Sequence, residues 1–198
     1  FTDSSASPET IVEYSGFGDN SLTTSSPAPK LGSAVLMNAA GNGDILFANQ
    51  TTGSKLNLAT SQFNIQVFVY LPTTHSAVSI WEGGYFSSFY SFQISSTNRL
   101  VVTCPGLSGV ALSPTNSVPV NAWAHIEFSR DASGVIRGFI NGTLQATTTT
   151  FTGTYDVGTD VIAICTNDGG AHTVYYDELR VVKGSAVHTA SFTPPTTE

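Results

Sequence analysis

Apolar residues in this chain alternate with polar ones or run in short blocks, and no stretch repeats them at the spacing of an amphipathic helix. Gly, Pro, Asn, Asp and Ser separate the blocks, as turn residues separate strands. The pattern predicts strands over residues 32–38, 44–49, 63–71, 77–82, 90–95 and 99–104, then over 122–130, 135–140, 143–146, 160–165 and 173–183. Asn141-Gly142, between Phe139-Ile140 and Thr143-Leu144, is the strongest short hairpin signal, because both turn positions need a positive φ. Asp131-Ala132-Ser133-Gly134 is a second turn, so 122–146 is predicted as a three-stranded antiparallel meander. Segments around Pro27-Ala28-Pro29, at 105–119 and at 147–158 read as longer loops or irregular edges, with the threonines at 147–150 suited to an exposed edge strand. Strands at this density give an all-β fold, a β-sandwich or jelly roll. The sandwich is expected to occupy residues 1–192. Thr193-Pro194-Pro195-Thr196 lacks two backbone donors and is expected to leave it as a tail or linker over 193–198.

Composition narrows the partners. A chain of 198 residues that is 40% hydrophobic fills one core and suits one domain. Charged residues make up 11%, roughly half the usual share, and Thr, Ser, Asn and Gly take their place. The surface is therefore polar but weakly ionic. The formal net charge is −7, and seven basic residues scattered from Lys30 to Lys183 form no stripe for phosphates, so nucleic acid is not an expected partner. The longest apolar runs, such as 67–71, are too short to span a bilayer, and no membrane insertion is expected. No charged segment followed by an apolar stretch opens the chain, so no signal peptide is read. Met37 is the one methionine, so Phe1 is not a translational start and the sequence reads as a processed product or an excised domain. Cys104 and Cys165 both stand in strand-type surroundings, as a disulfide or as two buried thiols, which leaves the redox compartment open.

Several segments, in order, resemble one family. Phe1-Thr2-Asp3-Ser4-Ser5 and then Lys30-Leu31-Gly32-Ser33-Ala34 are similar to its opening. Phe63-Asn64-Ile65-Gln66-Val67-Phe68-Val69-Tyr70 is similar to its "F-T-I-E-F-W-V" strand, and Trp123-Ala124-His125-Ile126 to its "W-x-H-V" strand. Gly138-Phe139-Ile140-Asn141-Gly142 is similar to the hairpin that follows, and Tyr176-Asp177-Glu178-Leu179-Arg180 with Phe192-Thr193-Pro194-Pro195 to its closing "D-E-L-R … F-T-P-P". The family is the laminin G-like branch of the concanavalin A-like lectin and glucanase superfamily. The wording of the two ends resembles versions found in bacteriophage tail, fibre and decoration proteins. The resemblance implies two curved antiparallel sheets facing each other in a concanavalin A-like jelly roll, serving in adhesion or carbohydrate recognition. The family has a strand just before the "F-T-D-S-S" segment, and here Phe1 opens the sequence. The resemblance thus implies that this strand lies upstream or that a partner chain completes the sheet.

A sandwich glucanase of that superfamily would carry paired acids in an "E-x-D-x-x-E" pattern, and the chain has none. Glu82 has no second acid nearby, and adjacent Asp177 and Glu178 point to opposite faces of a strand, where turn and edge contacts suit them better than catalysis. No catalytic residues are expected. His75, His125, His172 and His188 show no pair at metal-ligand spacing, and His125 reads as a sheet-surface or hydrogen-bonded histidine. Calcium is the one ion the pattern leaves room for, at Asn42 with Asp44 and at Asn167 with Asp168, although neither cluster supplies six to eight oxygens and both also suit plain turns. Asn49-Gln50-Thr51 and Asn141-Gly142-Thr143 match the glycosylation acceptor pattern, which a phage or bacterial product would leave unused.

The most unusual local feature is the stretch from Trp81 through Tyr85 and Phe86 to Tyr90, where Gly83-Gly84 makes a bend before a run of aromatics. Some of these rings must fill the core. Strict alternation leaves one or two exposed, so Trp81, Tyr85, Phe86 and Tyr90 are the candidate residues for stacking on a sugar or anchoring a partner, beside the plainer reading as core with one surface ring. The resulting expectation is a non-enzymatic bacteriophage virion protein at the particle surface, a capsid decoration or tail-associated component. Its partners would be other virion proteins or its own copies in a homo-oligomer, together with host-surface glycans. The alternatives are a carbohydrate-binding module of a secreted or fibre protein and, third, a sandwich glycosidase.

Overall fold

The computed structural model describes residues 11–13, 20–23, 27–32, 35–38, 46–49, 57–83, 90–155, 161–167 and 173–196. Of the strands at 11–13, 20–23, 35–38 and 46–49, and of residues 161 and 164–167, the backbone alone is described. The strands in chain order are β1 (Ile11–Glu13), β2 (Asn20–Thr23), β3 (Val35–Asn38), β4 (Leu46–Asn49), β5 (Phe63–Tyr70), β6 (Val78–Gly83), β7 (Tyr90–Ile94) and β8 (Leu100–Cys104). They continue as β9 (Leu107–Ala111), β10 (Trp123–Arg130), β11 (Val135–Ile140), β12 (Thr143–Leu144), β13 (Thr149–Thr150), β14 (Val161–Asn167) and β15 (Val174–Lys183). Among the described residues there is no helix. Seven strands pair in the order β1-β4-β14-β6-β7-β8-β9, and eight form the facing sheet, ordered β12-β11-β10-β5-β15-β3-β2 with β13 against β11. All the pairings are antiparallel, which is the expected two-sheet sandwich.

Alternation places the core. On β5 the residues Phe63, Ile65, Val67 and Val69 point inward, and on β10 so do Ala124, Ile126 and Phe128. The register puts Ile65 opposite Phe128, Val67 opposite Ile126 and Val69 opposite Ala124, so the inward sets of the two strands coincide. Phe92 of β7 meets Phe63 at 5.2 Å and Phe128 at 5.4 Å between ring centroids, joining one sheet to the other. Tyr155 closes the cluster against Tyr90, Phe63 and Phe151. Buried Cys104 is a free thiol that donates to the Tyr155 hydroxyl at 3.3 Å, the buried-thiol alternative for this cysteine. Burial raises the Cys104 thiol above its usual ionisation range and pushes the Tyr155 phenol well above its own.

The predicted meander over 122–146 is present as β10, β11 and β12. Asn141 and Gly142 both take positive φ, 50° and 76°, the geometry that an Asn-Gly hairpin turn requires. At the other end the Asp131 carboxylate accepts from the N–H groups of Ser133 and Val135 and pairs with Arg137 at 2.7 Å. These bonds outweigh its partial burial and hold the carboxyl below the usual range. Thr149–Thr150 does form a short edge strand, with Ile136 opposite Thr149. The segment 105–119, expected as a longer loop or irregular edge, contains β9, the edge strand of its sheet, with a register shift against β8. Pro105-Gly106, with Gly106 at φ 81°, turns the chain tightly enough for Cys104 to face Leu107.

Candidate functional site

The chemistry-bearing side chains gather on the outer face of the eight-stranded sheet. The residues of β5 and β10 that alternate with the core are Asn64, Gln66, Phe68 and Tyr70, opposite Ser129, Glu127, His125 and Trp123 in that order. Two flanking segments lie across this face. Before β3, the backbone N–H groups of Lys30 and Leu31 donate to the Asp177 carboxylate at 2.8 and 2.9 Å. After β15, residues 184–195 form a strap over the middle of the sheet. Ser129 Oγ donates to His188 O, Leu144 N–H donates to Ser191 Oγ, and Phe192 N–H donates to Gly142 O.

Under the strap lies a closed polar cluster. Glu127 is 0% exposed, and its carboxylate is bonded by Asn64 Nδ2 and by His188 Nδ1 at 2.9 Å. Burial raises the Glu127 carboxyl above the usual range, with His188, Asn64 and Arg180 pulling it back. His125, 2% exposed, bonds Gln66 Oε1 through Nε2 at 3.1 Å, the hydrogen-bonded sheet histidine its alternation implied. Burial and the neighbouring His188 lower its pKa to about 4, so its imidazole is neutral at pH 7. Phe192 stacks flat on His188 at 3.6 Å and meets His125 and Phe139 edge-on. The strap thus seals the cluster from solvent. This is an anchoring arrangement: the Ser129 hydroxyl beside it donates to the His188 carbonyl oxygen and not to the imidazole.

One end of the face stays open. Tyr175, Tyr70 and Trp123 occupy one row across β15, β5 and β10, paired Tyr175 with Tyr70 and Tyr70 with Trp123. All three are half-buried, and Tyr70 makes edge contacts to Trp123 at 5.7 Å and to Tyr175 at 6.0 Å. Trp123 Nε1–H donates to Ala28 O at 2.9 Å, which fixes the indole. Beside the row, exposed Asn121 donates to Thr73 Oγ1 at 2.7 Å.

The sequence pointed to other rings. Trp81 and Tyr90 are 0% and 1% exposed and belong to the core, so neither presents a face to a ligand. The reason is a register shift on β6. Val78 faces Ile94 and Trp81 faces Phe92, so one added residue on β6 returns Trp81 to the inner side, while Tyr90 faces Gly83. A side chain at Gly83 would collide with the Tyr90 ring at 2.3 Å, which is how glycine makes room for the phenol. Tyr85, Phe86, Asp44 and Asp168 lie outside the described residues, as does the side chain of Cys165. Among the described residues no three His, Cys, Asp or Glu side chains come together as metal ligands. Glu82 is the one carboxylate with a described side chain on the seven-stranded sheet, buried opposite Ser91 and Ala163. Asp177 and Glu178 hold an irregularity in β15, with Asp177 clamping the 30–31 backbone and Glu178 exposed at φ 51°. Alternation would have found Tyr70 and Trp123, since both share the parity of Gln66 and Glu127; their alignment across three strands was not visible in sequence.

Fold and face together define a two-sheet jelly roll of the lectin-like kind. Residues 41–188 match the laminin G-like family model described as the concanavalin A-like lectin/glucanases superfamily, and the chain belongs to that superfamily. No curated protein matches it by sequence. Among solved structures it is similar to the binding domain of paraclostridial mosquitocidal protein 1, with 14% identity, a TM-score of 0.66, and coverage of 94% of this chain and 47% of that one. The botulinum neurotoxin serotype G binding domain gives 17%, 0.65, 94% and 46%. This chain therefore spans about half the length of these two relatives. Domain 4 of AbnA, a GH43 extracellular arabinanase from Geobacillus stearothermophilus solved with arabinotriose, gives 16%, 0.63, 91% and 84%. At these identities the likeness is one of fold.

Proposed function

We propose that the chain is a non-catalytic recognition domain for carbohydrate, carried at the surface of a bacteriophage virion as a capsid decoration or tail-associated component. The observation that carries the non-catalytic part is the disposition of the described carboxylates. Glu127 is sealed against His188, Asp131 is held by Arg137, Asp177 is taken by two backbone N–H groups, and Glu82 has no second described carboxylate on its sheet. The fifth described carboxylate, Glu178, is exposed beside Asp177 at the irregularity of β15. Glycoside hydrolysis needs two acids about 5–9.5 Å apart across a cleft, and Asp177, the acid next to Glu178, is already taken by the Lys30 and Leu31 N–H groups.

Carbohydrate as the ligand is supported by superfamily membership and by relatives solved with sugars, arabinotriose in the arabinanase domain and N-acetylneuraminic acid in botulinum neurotoxin serotype D. The virion setting is supported by the wording of the two ends, Phe1-Thr2-Asp3-Ser4-Ser5 and Asp177-Glu178-Leu179-Arg180 with Phe192-Thr193-Pro194-Pro195, and by the weakly charged surface. The arabinanase domain, most of whose length this chain covers, favours a second reading as the binding module of a secreted enzyme.

The test joins a glycan array with light scattering and a screen for polysaccharide hydrolysis. Glycan binding without hydrolysis supports recognition, and a homo-oligomer or stable attachment to a particle supports the virion role. Sugar release from any polysaccharide would overturn the non-catalytic reading. A monomer that binds glycans and attaches to no particle would favour the second.

A further inference from the structure

We propose that the row formed by Tyr175, Tyr70 and Trp123 on the outer face of the eight-stranded sheet is a stacking site for a neutral pyranose oligosaccharide. The proposal rests on the carbohydrate reading above and gives it a place and a ligand class.

The geometry is that of a prepared surface. Three adjacent strands, β15, β5 and β10, set the three rings side by side, because the pairing puts Tyr175, Tyr70 and Trp123 at one level of the sheet. The Tyr70 plane stands at 70° to Trp123 and 83° to Tyr175, so the row is stepped, with Tyr70 propping the two outer rings rather than extending one flat platform. Edge-to-face packing fixes Tyr70 against both neighbours, and the bond from Trp123 Nε1 to Ala28 O removes the indole's remaining freedom. Rings ordered in advance lose little conformational entropy on binding, which is where a sugar-stacking surface gains affinity. The same face is covered elsewhere: the strap closes the Glu127 cluster and the Lys30 ammonium lies over Phe68 at 5.6 Å. The aromatic row is bordered by the segment before β3 through the Trp123–Ala28 bond and keeps all three rings partly exposed.

The rim chooses the ligand. Around the row stand Asn121, Thr73 and half-buried Thr173, all uncharged hydrogen-bonding groups. The nearest carboxylate on β15, Asp177, is occupied by the Lys30 and Leu31 N–H groups. A sugar presents an apolar C–H face bordered by hydroxyls, and this surface offers apolar rings bordered by an amide and hydroxyls. The Lys30 ammonium, a described cation on this face, lies over the Phe68 ring and not over the row.

The two tryptophans make the test direct. Trp81 is fully buried and Trp123 is half-exposed, so a ligand on the row perturbs Trp123 emission and leaves Trp81 unmoved. The intact chain is titrated with maltohexaose, cellohexaose and chitohexaose, following emission and calorimetry, beside Trp123→Phe, Tyr70→Ala and Tyr175→Ser variants whose folding is checked by circular dichroism. Expected are a Trp123 spectral shift with at least one neutral hexasaccharide, a roughly tenfold loss of affinity in Tyr70→Ala and Tyr175→Ser, and a smaller loss in Trp123→Phe, which keeps a ring. A neutral hexasaccharide that binds without shifting Trp123 emission and with unchanged affinity in all three variants would overturn the site and leave the carbohydrate reading standing. Binding of acidic sugars alone at the row would overturn the ligand class. An emission shift that tracks protein concentration with a doubled mass would assign the row to a second copy of the chain and overturn the proposal. No glycan bound at millimolar concentration would overturn both the site and the reading it rests on.

Discussion

Arg130 offers a severe test of how this sandwich is held together. It ends β10 on the parity of Ala124, Ile126 and Phe128, and it is 3% exposed. Its guanidinium donates from Nε to Phe151 O at 3.0 Å, from Nη1 to Ser61 O at 3.1 Å and from Nη2 to Gly153 O at 3.2 Å. It also lies over the Tyr155 ring at 5.2 Å. In Arg130→Met the hydrophobic stem is kept and all three bonds are lost. Each hydrogen bond from a charged donor contributes about 1.5–3 kcal/mol, and the contact with Tyr155 about 1 kcal/mol. Against this, the variant no longer desolvates a guanidinium, a relief of several kcal/mol. Ser61, Phe151 and Gly153 are half-buried, so water reaches part of what is vacated. The balance is a loss of about 3 kcal/mol, or roughly 6–12 °C in melting temperature for a chain of this size. Urea unfolding followed by the emission of buried Trp81 measures it. Arg130→Lys, with a charge but no fork, should fall between the two. A loss under about 1 kcal/mol for Arg130→Met would refute the reasoning, because desolvation would then outweigh three bonds.

Three further outcomes are expected. His125 has a folded pKa of about 4 against 6.5, so its contribution is whole above pH 6.5 and is lost as pH falls towards 4; at about 1.4 kcal/mol per pH unit that window is worth about 3.5 kcal/mol. Burial raises Glu127 and so favours folding in acid, so the comparison is with His125→Gln, and equal pH slopes in the two proteins would sink the idea. Gly142→Ala should destabilise by about 2 kcal/mol and speed chymotryptic cleavage after Phe192, since the added carbon would lie 2.0 Å from Phe192 O at a φ of 76°; unchanged melting and cleavage would contradict the clasp between hairpin and strap. In a Cys165→Ser background, Cys104 should react with a thiol reagent only on unfolding, because its thiol is buried and its pKa raised, whereas rapid native labelling would show that the aromatic cluster opens.

Much of this protein was legible in its sequence because strand alternation and turn chemistry are local. Phe63, Ile65, Val67 and Val69 declare an inward face by position alone, Asn141-Gly142 declares its hairpin through the φ values it tolerates, and His125 declares the sheet surface by its parity. The long-range devices were decided by the tertiary structure. One added residue on β6 carried Trp81 into the core, and that shift appears only when β6 is laid against β7. Glu127 and His188 are 61 residues apart, and nothing local says that a strap will bring them within 2.9 Å. The aromatic row needs register among three strands drawn from distant parts of the chain, so its three rings were dispersed in the sequence, while Trp81 and Tyr90 of the conspicuous aromatic run are core side chains. A side-chain period of two tells each strand which residues share a face; the pairing of strands decides which residues of different strands meet there.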